Sequence, residues 1–337
     1  MNVWNRLDAF QQRHRWAGFP LAVVYKFAED QGPYLAALIT YYGFLALFPL
    51  LLLLASILGF VLQDDPELQQ RVLDSTLSQF PVIGDQLGDP HGLQGSGAAI
   101  VTGAVVALYG ALGVGHAVQN ALNVAWAVPR HRRPNPLHLR FRGLLFLVIG
   151  AAAVIVTTVL SAVGGDPGAF GADVARSRSL LAVLIALAVN TAIFVVAFRV
   201  GTVQRTTFRN LLPGAVTASI VWQLLQVFGT VYVGNVVKGT GATYGAFALV
   251  LGLLAWLYLA AVGIVISAEI NVVRAKRLYP RALLTPFTDN VDLTAADRSV
   301  YTDAATAQTA KGFQTISVHF DDDGQNASAN GRRTRRP

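Results

Sequence analysis

Polar side chains set inside long apolar runs are the residues of this chain that could do chemistry. Such groups are expensive in hydrocarbon and persist there for packing, binding or transport. In one apolar run Tyr109, Gly113, His116, Asn120 and Asn123 recur at spacings of 4, 3, 4 and 3 residues. Those spacings put all five on one helix face. In another run Ser219, Gln223, Gln226 and Thr230 repeat the pattern. An earlier run holds Thr40, Tyr41 and Tyr42 shortly before Pro49, and a further one holds Asn190. The last holds Tyr244, Trp256 and Tyr258, with Glu269 and Asn271 at its end. Two readings stay open. In one, Tyr41, Tyr42, His116, Asn120, Asn123, Gln223 and Gln226 line a polar cavity, with Pro49 as the hinge of its first helix. In the other, the stripes are interhelical hydrogen-bond glue, worth on average about 0.6 kcal/mol per contact. His116 is either a packing histidine or a pH-sensitive group, since its unperturbed pKa is about 6.5. Glu269, with Asn271, is expected to anchor an arginine from a neighbouring loop.

Other chemistries find no residues. No Asp, Glu, Lys or Arg lies inside any apolar run, which argues against a voltage sensor, a carboxylate proton pump and a charged ion filter. Sequences of the H-E-x-x-H, G-x-S-x-G and Walker A types are absent. His14, His91, His116, His131, His138 and His319 are scattered and form no ligand cluster. Cysteine is absent, which excludes disulfides, iron–sulfur clusters and a thiolate nucleophile. No catalytic residue, metal or cofactor is therefore expected. The run Arg130-His131-Arg132-Arg133 sits between two apolar runs. Membrane orientation and anionic lipid headgroups explain it better than nucleic acid does.

The elements that must position these residues are membrane helices. The chain has 337 residues, of which 53% are hydrophobic and only 13% charged. An ordinary soluble domain carries about 25% charged residues. Six runs of 18 or more residues lack fixed charge: 34–62, 98–128, 143–165, 179–198, 211–237 and 239–268. Backbone polar groups in lipid must pair internally, so these runs are helices. The expected fold is an all-α membrane bundle of six transmembrane helices. At 1.5 Å per residue the first run is about 43 Å long, more than a hydrocarbon core of about 30 Å. The kink that proline introduces would accommodate it.

Charge sets the orientation. Of the 26 basic residues, only Arg71, Arg176, Arg178 and Lys238 fall on one side. The positive-inside rule then places both termini in the cytoplasm. Residues 1–33 form a cytoplasmic or interfacial arm, 34–284 the six-helix domain and 285–337 a disordered cytoplasmic tail. In the arm, Val3, Leu7, Phe10 and His14 share a helix face. That helix lies either in the headgroup region or packed on the bundle. In the acidic outer loop, 66–80 is amphipathic and is either a lid or a segment resting on the bundle. Nothing marks a cleaved signal peptide, so the first span is expected to direct its own insertion. Gly263 and Ser267 are a small-xxx-small pair, suited to close helix packing or to a homo-oligomer face.

Four stretches resemble the YihY/BrkB family of bacterial inner-membrane proteins. They are Ala36-Ala37-Leu38-Ile39-Thr40-Tyr41-Tyr42 leading to Leu47-Phe48-Pro49, and Gly113 through Asn120, Asn123 and Trp126. The others are Leu212-Pro213-Gly214-Ala215, and Tyr244-Gly245-Ala246 through Trp256, Tyr258 and Ala268-Glu269-Ile270-Asn271. Together they cover about residues 20–280. Ala46 stands where the family often has serine, and Ser267 where it often has glycine. The resemblance implies six transmembrane helices in the cytoplasmic membrane. Members have carried an old ribonuclease BN label, a link to serum resistance and suggestions of envelope or transport roles. The absence of a metal-binding cluster argues against a nuclease. The expectation is a non-enzymatic transport or lipid-handling protein of the cell envelope. Its partners would be the bilayer with anionic lipids and a small-molecule or lipid cargo. The alternative is an envelope scaffold without cargo.

Overall fold

The computed structural model describes residues 3–61, 97–149 apart from 136 and 147, 172–232 apart from 205, 242–289 and 291–320. Among the described residues the regular structure is entirely helical. The helices are α1 (Val3–Arg13), α2 (Arg15–Glu29), α3 (Gly32–Val61), α4 (Gly97–Ala125), α5 (Ala172–Gly201), α6 (Phe208–Tyr232), α7 (Ala242–Lys276) and α8 (Ala295–Ala307). Residues 137–146 are also helical. Among the described residues, three stretches are long and apolar enough to cross a bilayer: Val183–Gly201, Phe208–Gly229 and Val250–Lys276. A shorter apolar stretch, Gly32–Leu47, lies in α3. The expected spans over 34–62, 98–128, 179–198, 211–237 and 239–268 coincide in large part with α3 to α7. Most of the 143–165 span, the outer-loop stretch 66–80 and the chain beyond 320 lie outside the described residues. Helix α3 runs without a break through position 49, although the Pro49 side chain itself lies outside the description.

Small residues let the long helices approach. The most extensive contact runs between α3 and α4, followed by α7 on α6, α5 on α6 and α7 on α3. A Cβ on Gly110 would stand 2.8 Å from the backbone of Ala46, so α3 and α4 touch backbone to backbone there. A Cβ on Gly214 would overlap the carbonyl oxygen of Ser267, so the same device joins α6 to α7. The Gly263–Ser267 pair faces α6 of its own chain, with Val221 against Gly263. Pro213 lies inside α6 and interrupts its hydrogen-bond ladder. The neighbouring Gly214 N–H donates to Asn271 Oδ1 at 2.7 Å. Tertiary contact thus provides for a helix start that proline weakens.

Two long helices end in the same way. Ala127 after α4 and Arg277 after α7 have φ of 50° and 57°. Val128 N–H reaches back to the Asn123 carbonyl at 2.9 Å, and Leu278 N–H to the Val273 carbonyl at 3.0 Å. These are Schellman caps, and their apolar residues Val128 and Leu278 are buried as the motif requires.

Both caps lie at one charged end of the bundle. There the N-terminal arm, the segment after α4, the connection between α5 and α6, and the segment after α7 converge. Lys26 of α2 donates to the Ala125 carbonyl at 3.2 Å. The Val203 N–H donates to Asn123 at 3.3 Å, and the His131 N–H donates to the Thr309 carbonyl at 3.2 Å. The disorder expected from residue 285 onward does not hold for α8. Thr294 and Asp297 form a capping box that starts this helix, and Val300 buries its apolar side. Composition suggested a loose tail because polar and small residues dominate it. A capping box and one buried ion pair outweigh that composition.

Candidate functional site

The charged end is built around Arg281. Its side chain is fully buried, yet every nitrogen has an acceptor. Nη1 and Nη2 donate to the two carboxylate oxygens of Glu29 at 3.1 and 2.6 Å. Nε donates to Asp297. Asp297 accepts in addition from the Ala282 N–H at 3.0 Å and the Thr294 N–H at 2.9 Å. The Arg281 carbonyl accepts from Gln11 of α1 at 2.5 Å. Asp8 takes the Leu283 N–H at 2.9 Å, and Tyr25 donates to the Leu283 carbonyl at 2.6 Å. The guanidinium therefore ties α2 and α8 to the segment after α7, and the backbone carbonyl of the same residue adds α1. A buried charge is tolerable only with such complete pairing.

A second buried group sits beside it. Lys26 of α2 is paired with Asp30 one turn on, and its ammonium lies 3.7 Å from Glu269 of α7. Glu269 has no exposed surface. Burial alone pulls the Lys26 amine down, but the carboxylates of Glu269 and Asp30 overcome it and hold the amine above the usual lysine range. Burial holds the Asp30 carboxyl above the usual carboxylate range, against the nearby Lys26 ammonium.

Between these groups and α8 opens a vestibule of about 430 Å³. Lys26, Glu29 and Asp30 form one wall, Asn120, Arg130 and Arg133 a second, and Val300 and Asp303 of α8 a third. Its volume lies within the range of about 300–1,000 Å³ typical of small-ligand clefts. Asn120 accepts from Arg133 Nη1 at 3.1 Å, and Arg133 Nε donates to the Val128 carbonyl at 3.2 Å. Asp303 holds Lys276 at 2.8 Å, and Lys276 also reaches the Trp126 carbonyl at 3.2 Å.

The sequence-predicted residues fall into three groups. Asn120 lines the vestibule, and Asn123 is buried against the connection before α6. Glu269 and Asn271 lie at the charged end, and the cation nearest Glu269 is Lys26 of the N-terminal arm, where an arginine from a loop was expected. The α4 stripe continues upward from Asn120 through the exposed His116 and the part-buried Gly113 to the exposed Tyr109. Tyr42 of α3 stands edge-on to both Tyr41 and Tyr109, with ring centroids 5.2 and 6.3 Å apart. Tyr41 is 60% exposed and Tyr109 62%, so this aromatic group opens sideways instead of lining a sealed interior. The α6 stripe is elsewhere. Helix α6 packs chiefly on α5 and α7, and α4 is not among its extensive partners. Ser219 donates to the Leu187 carbonyl of α5 at 3.1 Å, while Gln223 is half-buried. Gln226 is also half-buried and engaged in contacts of its own. The expected hinge at Pro49 has no described side-chain contacts.

Sequence reasoning missed Arg281, Glu29, Lys26 and Asp297. One signal was present. Thr294-x-x-Asp297 reads as a helix start even within a polar tail. The pairing of Glu29 with Arg281 spans 252 residues, and no local pattern announces it. Among the described residues, no group of three His, Asp or Glu side chains could hold a metal ion.

Comparison with known proteins follows from this architecture. The chain is 25% identical over 267 residues to the ribonuclease-like protein YfkH of Bacillus subtilis (strain 168), covering 75% of this chain and 93% of that one. It is 28% identical over 252 residues to a UPF0761 membrane protein of Azotobacter vinelandii, covering 73% of this chain and 60% of the relative. It is 24% identical over 293 residues to a UPF0761 membrane protein of Psychrobacter sp. (strain PRwf-1), covering 83% of this chain and 53% of the relative. The chain thus spans little more than half the length of those two UPF0761 proteins. No solved structure matches it. The family model described as "Virulence factor BrkB" matches residues 23–290, a stretch that runs from α2 through the Arg281 hub. With apolar helices able to span a bilayer, bacterial relatives and this match over most of its length, the chain is a membrane protein of the virulence factor BrkB family.

Proposed function

We propose that this chain is a non-enzymatic, six-span protein of the bacterial cytoplasmic membrane that moves or hands over an amphipathic cargo. Both termini lie in the cytoplasm, and the charged end faces the inner-leaflet headgroups. One observation carries the reading: the α4 stripe, open to the side at Tyr109 and His116, descends to Asn120 in the wall of the vestibule. An apolar tail can lie along the open face while a polar head occupies the vestibule. The exposed Trp4, Leu7, Phe10 and Trp16 of α1 and α2 suit an arm seated in the headgroup layer. Pro49 is the hinge that would let the lateral face widen. Movement is passive or gradient-driven.

Native mass spectrometry of the gently solubilised protein tests this, beside the double variant Tyr109→Leu, His116→Leu. Both side chains are exposed, so the variant leaves the packed core intact. The expected outcome is a lipid or metabolite retained by the wild type and lost from the variant. Equal retention of nonspecific lipid would instead favour the scaffold reading. A specific observation speaks for that alternative: Ser219 and Asn123 are already bonded within the bundle and have their polar groups engaged without a cargo.

A further inference from the structure

The vestibule walls carry three acids and three bases, but their pairing is uneven. Glu29 is held bidentately by Arg281, Asp30 by Lys26 and Asp303 by Lys276. Lys26 is further engaged by the buried Glu269. Each acid of the wall is thus matched to a cation. Arg130 and Arg133 are different, because among the described residues neither meets a carboxylate. Arg133 uses Nε and Nη1 on the neutral oxygens of Val128 and Asn120, which fixes its plane and leaves Nη2 without an acceptor among the described residues. Arg130, three residues away, is exposed at the mouth of the same space. Two neighbouring guanidiniums repel each other. Burial, and then the charge of Arg130, hold the Arg133 guanidinium below the usual arginine range. An anion held by both would offset that repulsion.

Resting on the cargo reading above, we propose that Arg130 and Arg133 form a phosphate-binding clamp in the vestibule and that it takes the phosphate group of the cargo head. The planar guanidinium fork matches phosphate oxygens better than a lysine ammonium does. Asn120 orients one arm of the clamp, and the Asp303 wall of α8 closes the opposite side. Two sources supply this chemistry, a membrane lipid headgroup and a soluble phosphate compound. The side opening along α4 favours the lipid.

The test is calorimetric titration of the full chain, stripped of phospholipid in phosphate-free dodecyl maltoside micelles, first with dihexanoyl phosphatidic acid and then with inorganic phosphate. Arg133→Gln removes a fixed arm but also two structural bonds. Arg130→Gln serves as the second variant, since its side chain has no bonded partner among the described residues, and thermal melting checks that both fold. Saturable binding of the short-chain lipid, weakened about tenfold by either variant, is expected for the loss of one charge-assisted contact. Inorganic phosphate that fails to bind identifies the lipid as the source. Inorganic phosphate that binds and is weakened alike supports the clamp but assigns a soluble ligand. Absence of saturable binding to either probe, or equal binding by wild type and Arg130→Gln, overturns the clamp. Lipid retention that still depends on Tyr109 and His116 would then leave the cargo reading standing without it.

Discussion

Lys26 shows how one side chain can commit two helices to each other. It is 3% exposed and shared between Asp30 and Glu269. Replacing it with leucine leaves Glu269 buried without a counter-charge. Breaking such a pair from one side costs about 3–5 kcal/mol. The double variant Lys26→Leu, Glu269→Leu should recover part of that loss, because the fully buried Glu269 no longer lacks a counter-charge, while Asp30 loses its ammonium partner in both variants. Denaturation of the solubilised single and double variants measures both effects. The linkage also has a sign. A lysine whose amine is raised in the folded state contributes its full stability below the unfolded value of about 10.4, and loses that contribution as pH rises through the folded value. Wild-type stability should therefore fall faster than that of Lys26→Leu above about pH 10.4, read as melting temperature against pH. Equal slopes would show that the amine is not held charged. None of this was legible from position alone. Glu269 announced itself as an acid at the edge of an apolar run, but its partner came from an arm that read as interfacial.

At the scale of elements, the long helices were the most legible part. Apolar runs without fixed charge can satisfy their backbones in lipid only as helices, so α3 to α7 followed from composition. Which faces meet did not follow. The stripes on α4 and α6 have the same period, yet small residues set the neighbours: Gly110 brings α4 to α3, and Gly214 brings α6 to α7. A glycine marks a close approach without saying to what. The helix ends were less visible still, because glycine is the usual signal of a left-handed cap and both caps here lack it. Arg277 holds φ of 57° with an exposed side chain. Arg277→Gly should therefore stabilise the end of α7 by about 0.5–1 kcal/mol, since only glycine reaches that conformation without cost. A higher melting temperature with unchanged helical content is the expected outcome. An unchanged or lower one would mean that Arg277 makes a stabilising contact of its own.

At the scale of the molecule, the hub at Arg281 decides whether the charged end is one structure or several. Arg281→Leu removes the partner of Glu29 and of the buried Asp297. The segment after α7 and α8 should then open while the spans persist. Limited proteolysis would cut residues 282–294 at least about tenfold faster, because each 1.4 kcal/mol of lost local stability is a factor of about ten. Circular dichroism should change little. Global unfolding would instead show that the hub supports the spans as well. Composition hid this hub. A tail rich in Asp, Thr, Ala and Gly reads as loose, and the one arginine that organises it looks like any other positive-inside charge. The hub also orders events during synthesis. Glu29 leaves the ribosome 252 residues before Arg281. At about 5–20 residues per second, the arginine follows roughly 10–50 s later. Throughout that interval the early helices can insert, but their charged end has no keystone. A chain whose translation stops before residue 281 stays open at that end, as an unfinished product that a protease can recognise.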